Sequence, residues 1–272
     1  MPELPEVETV KNTLKRLILN EKILDVDIYH NNIIASPSVD EFKEKIKNQT
    51  INDIKRRGKW LIFELDDYYL VSHLRMEGKY FLKDSNDELL KHEHVVFKFN
   101  KQELRYHDTR KFGKMYLIDK DKIDVSKPIN ELGLEPWDEK LTNLYLKEKY
   151  SKKNIPVKTV LLDQSIITGI GNIYADEILF KCKINPLIKP KELNDEQLNN
   201  IIKYTRKTLE EAIKLGGTTI KSYESAKGVH GLFQNKLLVH SKVGEACPEC
   251  GTKIIKITVN GRGTYYCENC QK

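Results

Sequence analysis

The sequence predicts an α+β chain of several domains: an N-terminal helix leading into a β-sandwich or barrel, then a helical region, then a short cysteine-bearing β-hairpin. Three observations carry this. Residues 22–118 hold short runs rich in β-branched and aromatic residues at close spacing. Beyond about residue 140 the apolar residues recur at helical spacing instead. The last 26 residues contain two C-x-x-C pairs.

The elements follow in order. In the opening MPELPEVE, Pro5 suits the first turn of a helix, and Glu6 and Glu8 complement the positive end of its dipole. Val7, Val10, Leu14 and Leu17 follow at helical spacing, so residues 1–18 read as an amphipathic helix. KWLIFEL (59–65) and YYLVSHL (68–74) read as strands around the turn Asp66-Asp67. HVVFKFN and QELRYHD flank Asn100-Lys101 in the same way. SKPINELGLEPWDEK (126–140) has the composition of a linker. VKTVLLDQ (157–164) is a candidate helix, and TGIGNIYADEILFKC (168–182) is a glycine turn running into another. Over 194–217, Leu198, Ile201, Ile202, Thr205, Leu209 and Ile213 share one helical face, with Asn194 as N-cap and Gly216 at the close. Residues 218–236, polar and glycine-dotted, read as a mobile loop.

The 272 residues are 39% hydrophobic and 32% charged, as in a soluble globular protein with a real core. The net charge of +6 is compatible with a polyanionic partner. No run of about 18 apolar residues is present, which argues against a membrane helix. The N-terminus lacks the basic-then-apolar pattern of a signal peptide, and the cysteine usage suits a reducing compartment, so the expected location is cytoplasmic.

Cys247-Pro-Glu-Cys250 and Cys267-Glu-Asn-Cys270 are separated by sixteen residues. Each knuckle offers two thiolates from one turn, and a hairpin between them gathers the four around one tetrahedral Zn²⁺. Four sulfurs leave no open position, so the zinc is structural. KIIKITVNGRGTYY between the pairs reads as a β-hairpin with Asn260-Gly261 at its turn and Arg262 beside the tip. Arg262 is either an ordinary solvated arginine or a basic fingertip for a phosphate backbone. Cys182, within a helical apolar run, reads as core.

Pro2 and Glu3 serve no evident purpose in the helix. Pro2 is small enough for the initiator methionine to be removed, which exposes a secondary amine. An α-amino group has a pKa near 8, so a useful fraction is neutral at pH 7. A neutral amine attacks a carbonyl-like carbon. The Schiff base of a secondary amine is an iminium that cannot lose its charge by deprotonation, which favours elimination next to the attacked carbon. Glu3 is placed to move protons.

MPELPEVET, RRGKWL, SHLRMEGKY, KHEHVVF, RYHDTRKFG, GIGNIYADE, GGTT and the cysteine hairpin together resemble the bacterial formamidopyrimidine-DNA glycosylases, in order and spacing, over the whole chain. Leu4 looks like this branch, since the related endonuclease VIII branch usually has glycine there. The resemblance implies an N-terminal β-sandwich with an N-terminal helix, a C-terminal helix–two-turn–helix domain and a β-hairpin zinc finger. The divisions expected are a catalytic domain at 1–134, a DNA-binding domain with a lesion loop at 135–237, and the zinc finger at 238–272. It further implies a monomeric glycosylase and abasic-site lyase, acting on duplex DNA with oxidised purines or abasic sites, in the bacterial cytoplasm at the nucleoid.

By the same resemblance Pro2 is the nucleophile at C1′ and Glu3 the proton donor. Lys59 assists β-elimination, and Arg262 binds phosphate with a part in δ-elimination. Met76, Arg110 and Phe112 match the trio that fills the gap left when a nucleotide leaves the stack. From the residues alone, Met76 and Phe112 read as core, and Lys59 as a solvated residue at a strand start. His73, His92, Arg110, Lys153 and Asn172 match backbone-contacting positions, and the Gly169-x-Gly171 turn before a helix is a second reason for Asn172. His92-Glu93-His94 carries no metal expectation, for want of a third ligand. Two stretches depart from the family pattern. Asp-Pro-Arg-Arg-Phe-Gly is here Asp108-Thr109-Arg110-Lys111-Phe112-Gly113. Val-Tyr-Gly-Arg is here Val239-His240-Ser241-Lys242, with His240 as a possible donor in place of the tyrosine. Two rival readings stand beside this one. They are an endonuclease VIII-like glycosylase for oxidised pyrimidines, and a zinc-hairpin DNA-binding protein without chemistry.

Overall fold

The structure, a computed structural model, describes residues 1–218 and 231–272. They form two compact units, Met1–Asn130 with the described residues of Gly216–Gly231, and Glu131–Leu215 with Leu232–Lys272.

The first unit begins with α1 (Leu4–Ile18), with Pro5 in its first turn. Next come β1 (Asp25–Ile28), β2 (Ile34–Ser36) and α2 (Val39–Ile46). Seven strands follow: β3 (Asp53–Arg57), β4 (Trp60–Glu64), β5 (Tyr68–His73), β6 (Lys79–Asp84), β7 (Glu93–Lys98), β8 (Gln102–His107) and β9 (Lys114–Asp119). They make a five-stranded sheet in the order β2-β9-β5-β4-β3 and a four-stranded sheet in the order β1-β7-β8-β6. The pairs read from sequence, β4 with β5 and β7 with β8, are antiparallel hairpins. One apolar core draws Ile54, Leu61, Phe63, Leu70, Met115 and Leu117 from the first sheet and Val26, Tyr80, Val95, Phe97, Leu104 and Tyr106 from the second. Val7, Val10, Leu14 and Ile18 of α1 and Phe42 and Ile46 of α2 join it. This is the expected sandwich.

Helix α2 interrupts the β texture and is a departure from the sequence reading. Its signal is short: the Ser38 hydroxyl accepts the Glu41 N–H at 3.3 Å, an S-x-x-E start hidden among strands.

The second unit holds α3 (Asn143–Tyr150), α4 (Val157–Leu161), α5 (Asn172–Cys182) and α6 (Asp195–Lys214), then β10 (Ile255–Val259) paired antiparallel with β11 (Arg262–Tyr266). Asn194 and Gln197 close a capping box at the start of α6, and Gly216 lies in the left-handed region just past its end. The helical face expected to be buried is buried, except that Ala212 takes the place of the half-exposed Ile213. The middle of the expected linker is pinned. Gly133 N–H donates to Gln164 O at 2.8 Å, and Thr168 N–H donates to Leu134 O at 2.9 Å. Of the expected loop 218–236, residues 219–230 lie outside the described residues. In the remainder Thr218, Gly231 and Phe233 are buried, while Leu232, Asn235 and Lys236 are exposed; Phe233, 1% exposed, starts a short 3₁₀ turn against Tyr174.

Candidate active site and nucleic-acid interface

Pro2 and Glu3 are buried where α1 begins. Glu3 is the N-cap, and its N–H donates to Glu6 Oε2 at 2.8 Å. The other oxygen, Glu6 Oε1, accepts Thr218 N–H at 2.8 Å and the Thr218 hydroxyl at 3.1 Å. Glu6 is therefore more than a dipole partner: it fixes Glu3 and ties the helix start to a residue 212 positions away. The terminal amine on Met1 is held below its ordinary value of 8.0 by burial, with Glu3 and Glu6 opposing and Lys59 assisting.

Lys59 sits in the Gly58-Lys59 turn between β3 and β4, where Gly58 supplies a φ of 56°. It is only 5% exposed, which contradicts its reading as a solvated strand-start lysine. The turn is anchored to α1. Arg56 Nε donates to Glu8 Oε2 at 2.8 Å, and Arg56 Nη1 donates to Gly58 O at 3.0 Å. The structure thus brings Pro2, Glu3 and Lys59 together at the start of α1.

His73 ends β5 against the edge of Trp60, with ring centroids 4.6 Å apart. Arg75 N–H donates to His73 Nδ1 at 2.9 Å. Nδ1 is thus an acceptor, and the neutral ring carries its proton on Nε2. Burial, with the Arg75 and Lys59 charges, pushes the imidazole down to about 3.

Two loops follow. One runs from Leu74 to Gly78 and carries Met76, which is half-buried. The other runs from Asp108 to Gly113. Its Asp108 carboxylate accepts Arg110 N–H at 3.0 Å and Gly113 N–H at 2.8 Å. The Thr109 hydroxyl donates to the Glu77 carboxylate and so joins the two loops. Arg110 lies over the Phe112 ring, 4.7 Å from its centroid. Phe112 is 49% exposed, so it is not the core residue that its chemistry alone suggests. His92 is half-buried, with a φ of 76°, just ahead of a register shift between Glu93 and Val95. Strand alternation therefore does not extend to it.

In the second unit Lys153 Nζ pairs with Asp163 at 3.2 Å. Asn172 is the first residue of α5, and its Nδ2 donates to Gly263 O at 3.0 Å. Lys158 Nζ donates to the same carbonyl at 2.9 Å and to Thr264 Oγ1 at 2.8 Å. Asn260 and Gly261, both at positive φ, make the turn of the hairpin, and Arg262 beside it is exposed. Asn260 Nδ2 donates to Thr159 Oγ1 at 2.9 Å and ties the tip to α4.

The four hairpin cysteines bring their sulfurs within 4.8 Å of one another. Cys247 and Cys270 are 3.8 Å apart, and Cys250 and Cys267 are 3.5 Å apart. A tetrahedron with Zn–S near 2.3 Å has sulfur–sulfur edges of about 3.8 Å, so the donor set fits one structural zinc. Cys247 and Cys267 also pack with Phe180, Val239 and Ile254, which seats the knuckles on α5. Cys182 is buried and free, as expected.

Three family descriptions match in sequence: "Formamidopyrimidine-DNA glycosylase N-terminal domain" over residues 1–115, "Formamidopyrimidine-DNA glycosylase H2TH domain" over 132–224, and "Zinc finger found in FPG and IleRS" over 244–272. The chain belongs to the formamidopyrimidine-DNA glycosylase family. A relative from Shouchella clausii is 49% identical over 273 residues, covering 100% of this chain and 99% of its own. One from Bacillus subtilis is 46% identical, covering 100% and 99%. A Lactococcus lactis FPG mutant in complex with a Fapy-dG-containing DNA aligns with a TM-score of 0.94 at 39% identity, covering all of both chains. The Lactococcus lactis enzyme with abasic-site DNA aligns at 0.93 and 40% identity, covering 99% of each.

Several polar side chains that position the residues above were not assigned that part from the sequence: Glu77, Tyr106 and Asp108 in the first unit, and Lys158 and Asp176 in the second. For Glu77 and Asp108 a signal exists: each lies in a glycine-terminated stretch, MEG and DTRKFG, where strand patterning stops. Among the described residues no helix is long and apolar enough to cross a membrane.

Proposed function

We propose that this chain is a base-excision-repair DNA glycosylase and abasic-site lyase that removes oxidised purines from duplex DNA through a covalent imine at Pro2. With Met1 removed, the Pro2 nitrogen attacks C1′ of the damaged nucleotide. The glycosidic bond breaks, and the base departs with the bonding pair and takes up a proton. Glu3 protonates O4′ as the sugar ring opens, leaving an iminium between Pro2 and C1′. Loss of a C2′ proton, assisted by Lys59, expels the 3′ phosphate. A second elimination expels the 5′ phosphate, with Arg262 on a phosphate, and hydrolysis frees Pro2. Met76, Arg110 and Phe112 fill the gap left by the flipped nucleotide. His73, His92, Lys153 and Asn172 hold the DNA backbone. The same reading divides the chain at 1–134, 135–237 and 238–272 and places it at the nucleoid in the cytoplasm.

The observation that carries this reading is the low-dielectric N-terminus. Pro2, Glu3 and Lys59 are all buried there, and the same burial holds the Met1 amine that precedes Pro2 below its ordinary value. Borohydride trapping on abasic-site DNA tests it. The Met1-free protein becomes covalently linked to the strand, whereas a homogeneous Met1-bearing form, whose Pro2 nitrogen is an amide, binds and is not trapped. Trapping by the Met1-bearing form ends the reading. The endonuclease VIII-like alternative has one specific support: a Lactococcus lactis relative has been solved with an oxidised-pyrimidine-containing DNA. Faster excision of thymine glycol than of 8-oxoguanine would favour it.

A further inference from the structure

We propose that Thr109 is a positioning residue for reading the base opposite the lesion: its bond to Glu77 makes the Met76 loop and the Arg110 loop one unit, so that the arginine reaches the orphaned base only with the wedge seated. The inference rests on the DNA-binding reading above.

Each loop is closed within itself. In the first, Gly78 N–H donates to Leu74 O at 2.9 Å. In the second, the fully buried Asp108 accepts Arg110 N–H through Oδ1 at 3.0 Å and Gly113 N–H through Oδ2 at 2.8 Å. Asp108 N–H in turn donates to His92 O at 3.0 Å. Side chains relate the two loops at two levels. At the buried level stands Tyr106, whose hydroxyl fills the space beside both Gly78 and Gly113. That contact limits how near the loops come and is not a bond between them. At the outer level the Thr109 hydroxyl donates to the Glu77 carboxylate.

The outer bond sits where it can govern reading. Thr109 precedes Arg110, and Glu77 follows Met76. One bond between residues 32 apart therefore ties the reader to the wedge. The Arg110 guanidinium lies over the Phe112 ring, so the tie extends to the third member of the trio. Glu77 is also registered against the start of α1: burial lowers the Met1 amine, and Glu77 is among the carboxylates that oppose the fall. Loops already joined leave less ordering to be done when DNA associates. The family pattern has proline at position 109, and proline offers no side-chain donor. The coupling is therefore a property of this chain and not of the motif.

The test is fluorescence anisotropy on duplexes carrying a tetrahydrofuran abasic analogue opposite cytosine or adenine, with an undamaged duplex as reference. Zinc-loaded wild type, Thr109→Val, Thr109→Ser, Glu77→Ala and the Thr109→Val, Glu77→Ala double variant are compared. Thr109→Val lowers affinity for the cytosine duplex about two- to tenfold, the usual net worth of one hydrogen bond. It lowers affinity for the adenine duplex less, so the cytosine-to-adenine ratio shrinks, and the undamaged duplex is bound as before. Thr109→Ser keeps the hydroxyl and the wild-type ratio. In the Glu77→Ala background Thr109→Val changes nothing further, because the bond is already gone. An unchanged ratio in Thr109→Val overturns the proposal, as does an effect of equal size in the Glu77→Ala background. So does a wild type that does not prefer cytosine, since no opposite base is then read. Borohydride trapping of the same preparations on natural abasic DNA separates the two failures. Trapping with no Thr109 effect sinks this inference alone, and absent trapping sinks the function.

Discussion

The Tyr106 hydroxyl occupies the space beside Gly113, such that a Cβ built on Gly113 would lie 1.8 Å from it. The same oxygen would stand 2.2 Å from a Cβ on Gly78. One hydroxyl, on a fully buried tyrosine, therefore sets how closely both loops approach β8. Gly113→Ala is expected to destabilise the protein by about 1–3 kcal/mol, the usual cost of overpacking. It should also weaken binding to lesion duplex, because Phe112 and Arg110 shift with the backbone. Thermal unfolding and anisotropy on the single and on the Gly113→Ala, Tyr106→Phe double variant check this. The double variant should recover part of both losses, and no recovery would place the strain elsewhere.

His73 is buried as a neutral ring, and its value falls from an ordinary 6.5 to about 3. The unfolded chain therefore binds the extra proton between those values, and the native state does not. Stability from this residue is complete above about pH 6.5 and declines as pH falls toward 3, at up to about 1.4 kcal/mol per pH unit. Denaturant unfolding between pH 4.5 and 7 should show a shallower acid decline in His73→Gln than in the parent. Identical slopes would mean that the ring is protonated in the fold.

Arg110 lies over the Phe112 ring. Its planar fork suits the O2 and N3 acceptors of an orphaned cytosine, and a good bidentate contact discriminates by about 1–3 kcal/mol. Excision of 8-oxoguanine is thus expected to be faster opposite cytosine than opposite adenine, by roughly fivefold to more than a hundredfold. Arg110→Ala should flatten that ratio in single-turnover assays. A ratio that survives the mutation would assign the discrimination to another residue.

Cys267→Ser removes one of four sulfurs and a member of the small apolar cluster around Phe180. The expected outcome is loss of bound zinc and a fall in affinity for any duplex, damaged or not. The plot of log affinity against log salt should lose about 0.9 in slope, corresponding to one phosphate contact. If chelation abolished strand cleavage while leaving affinity and salt slope intact, zinc would be acting in the chemistry.

The legible parts of the fold are those with local signals. The hairpins at Asp66-Asp67 and Asn260-Gly261, the Asn194 cap and the cysteine knuckles each declare themselves within a few residues. Helix α2 was hidden because eight residues beginning at Val39 are too few for a helical period to stand out among strands. The buried state of Lys59 was not legible, since nothing local says that Arg56 reaches back 48 positions to Glu8. The same holds for His240 and Asp176, 64 residues apart, whose pairing exists only in the fold. Position in the sequence names candidate residues, and long-range partners decide their burial and their freedom.

The bond from Thr218 to Glu6 also constrains the order of synthesis. As the chain leaves the ribosome, the carboxylate that fixes Glu3 is made among the first residues, and its partner comes 212 positions later. At roughly 5–20 residues per second, that interval is on the order of ten to forty seconds. Through it the Glu6 carboxylate lacks its two bonds from Thr218. A stalled or truncated chain that ends before Thr218 therefore carries an incomplete helix start. Completion of the polar surroundings of Glu3 is deferred until most of the second unit has been synthesised.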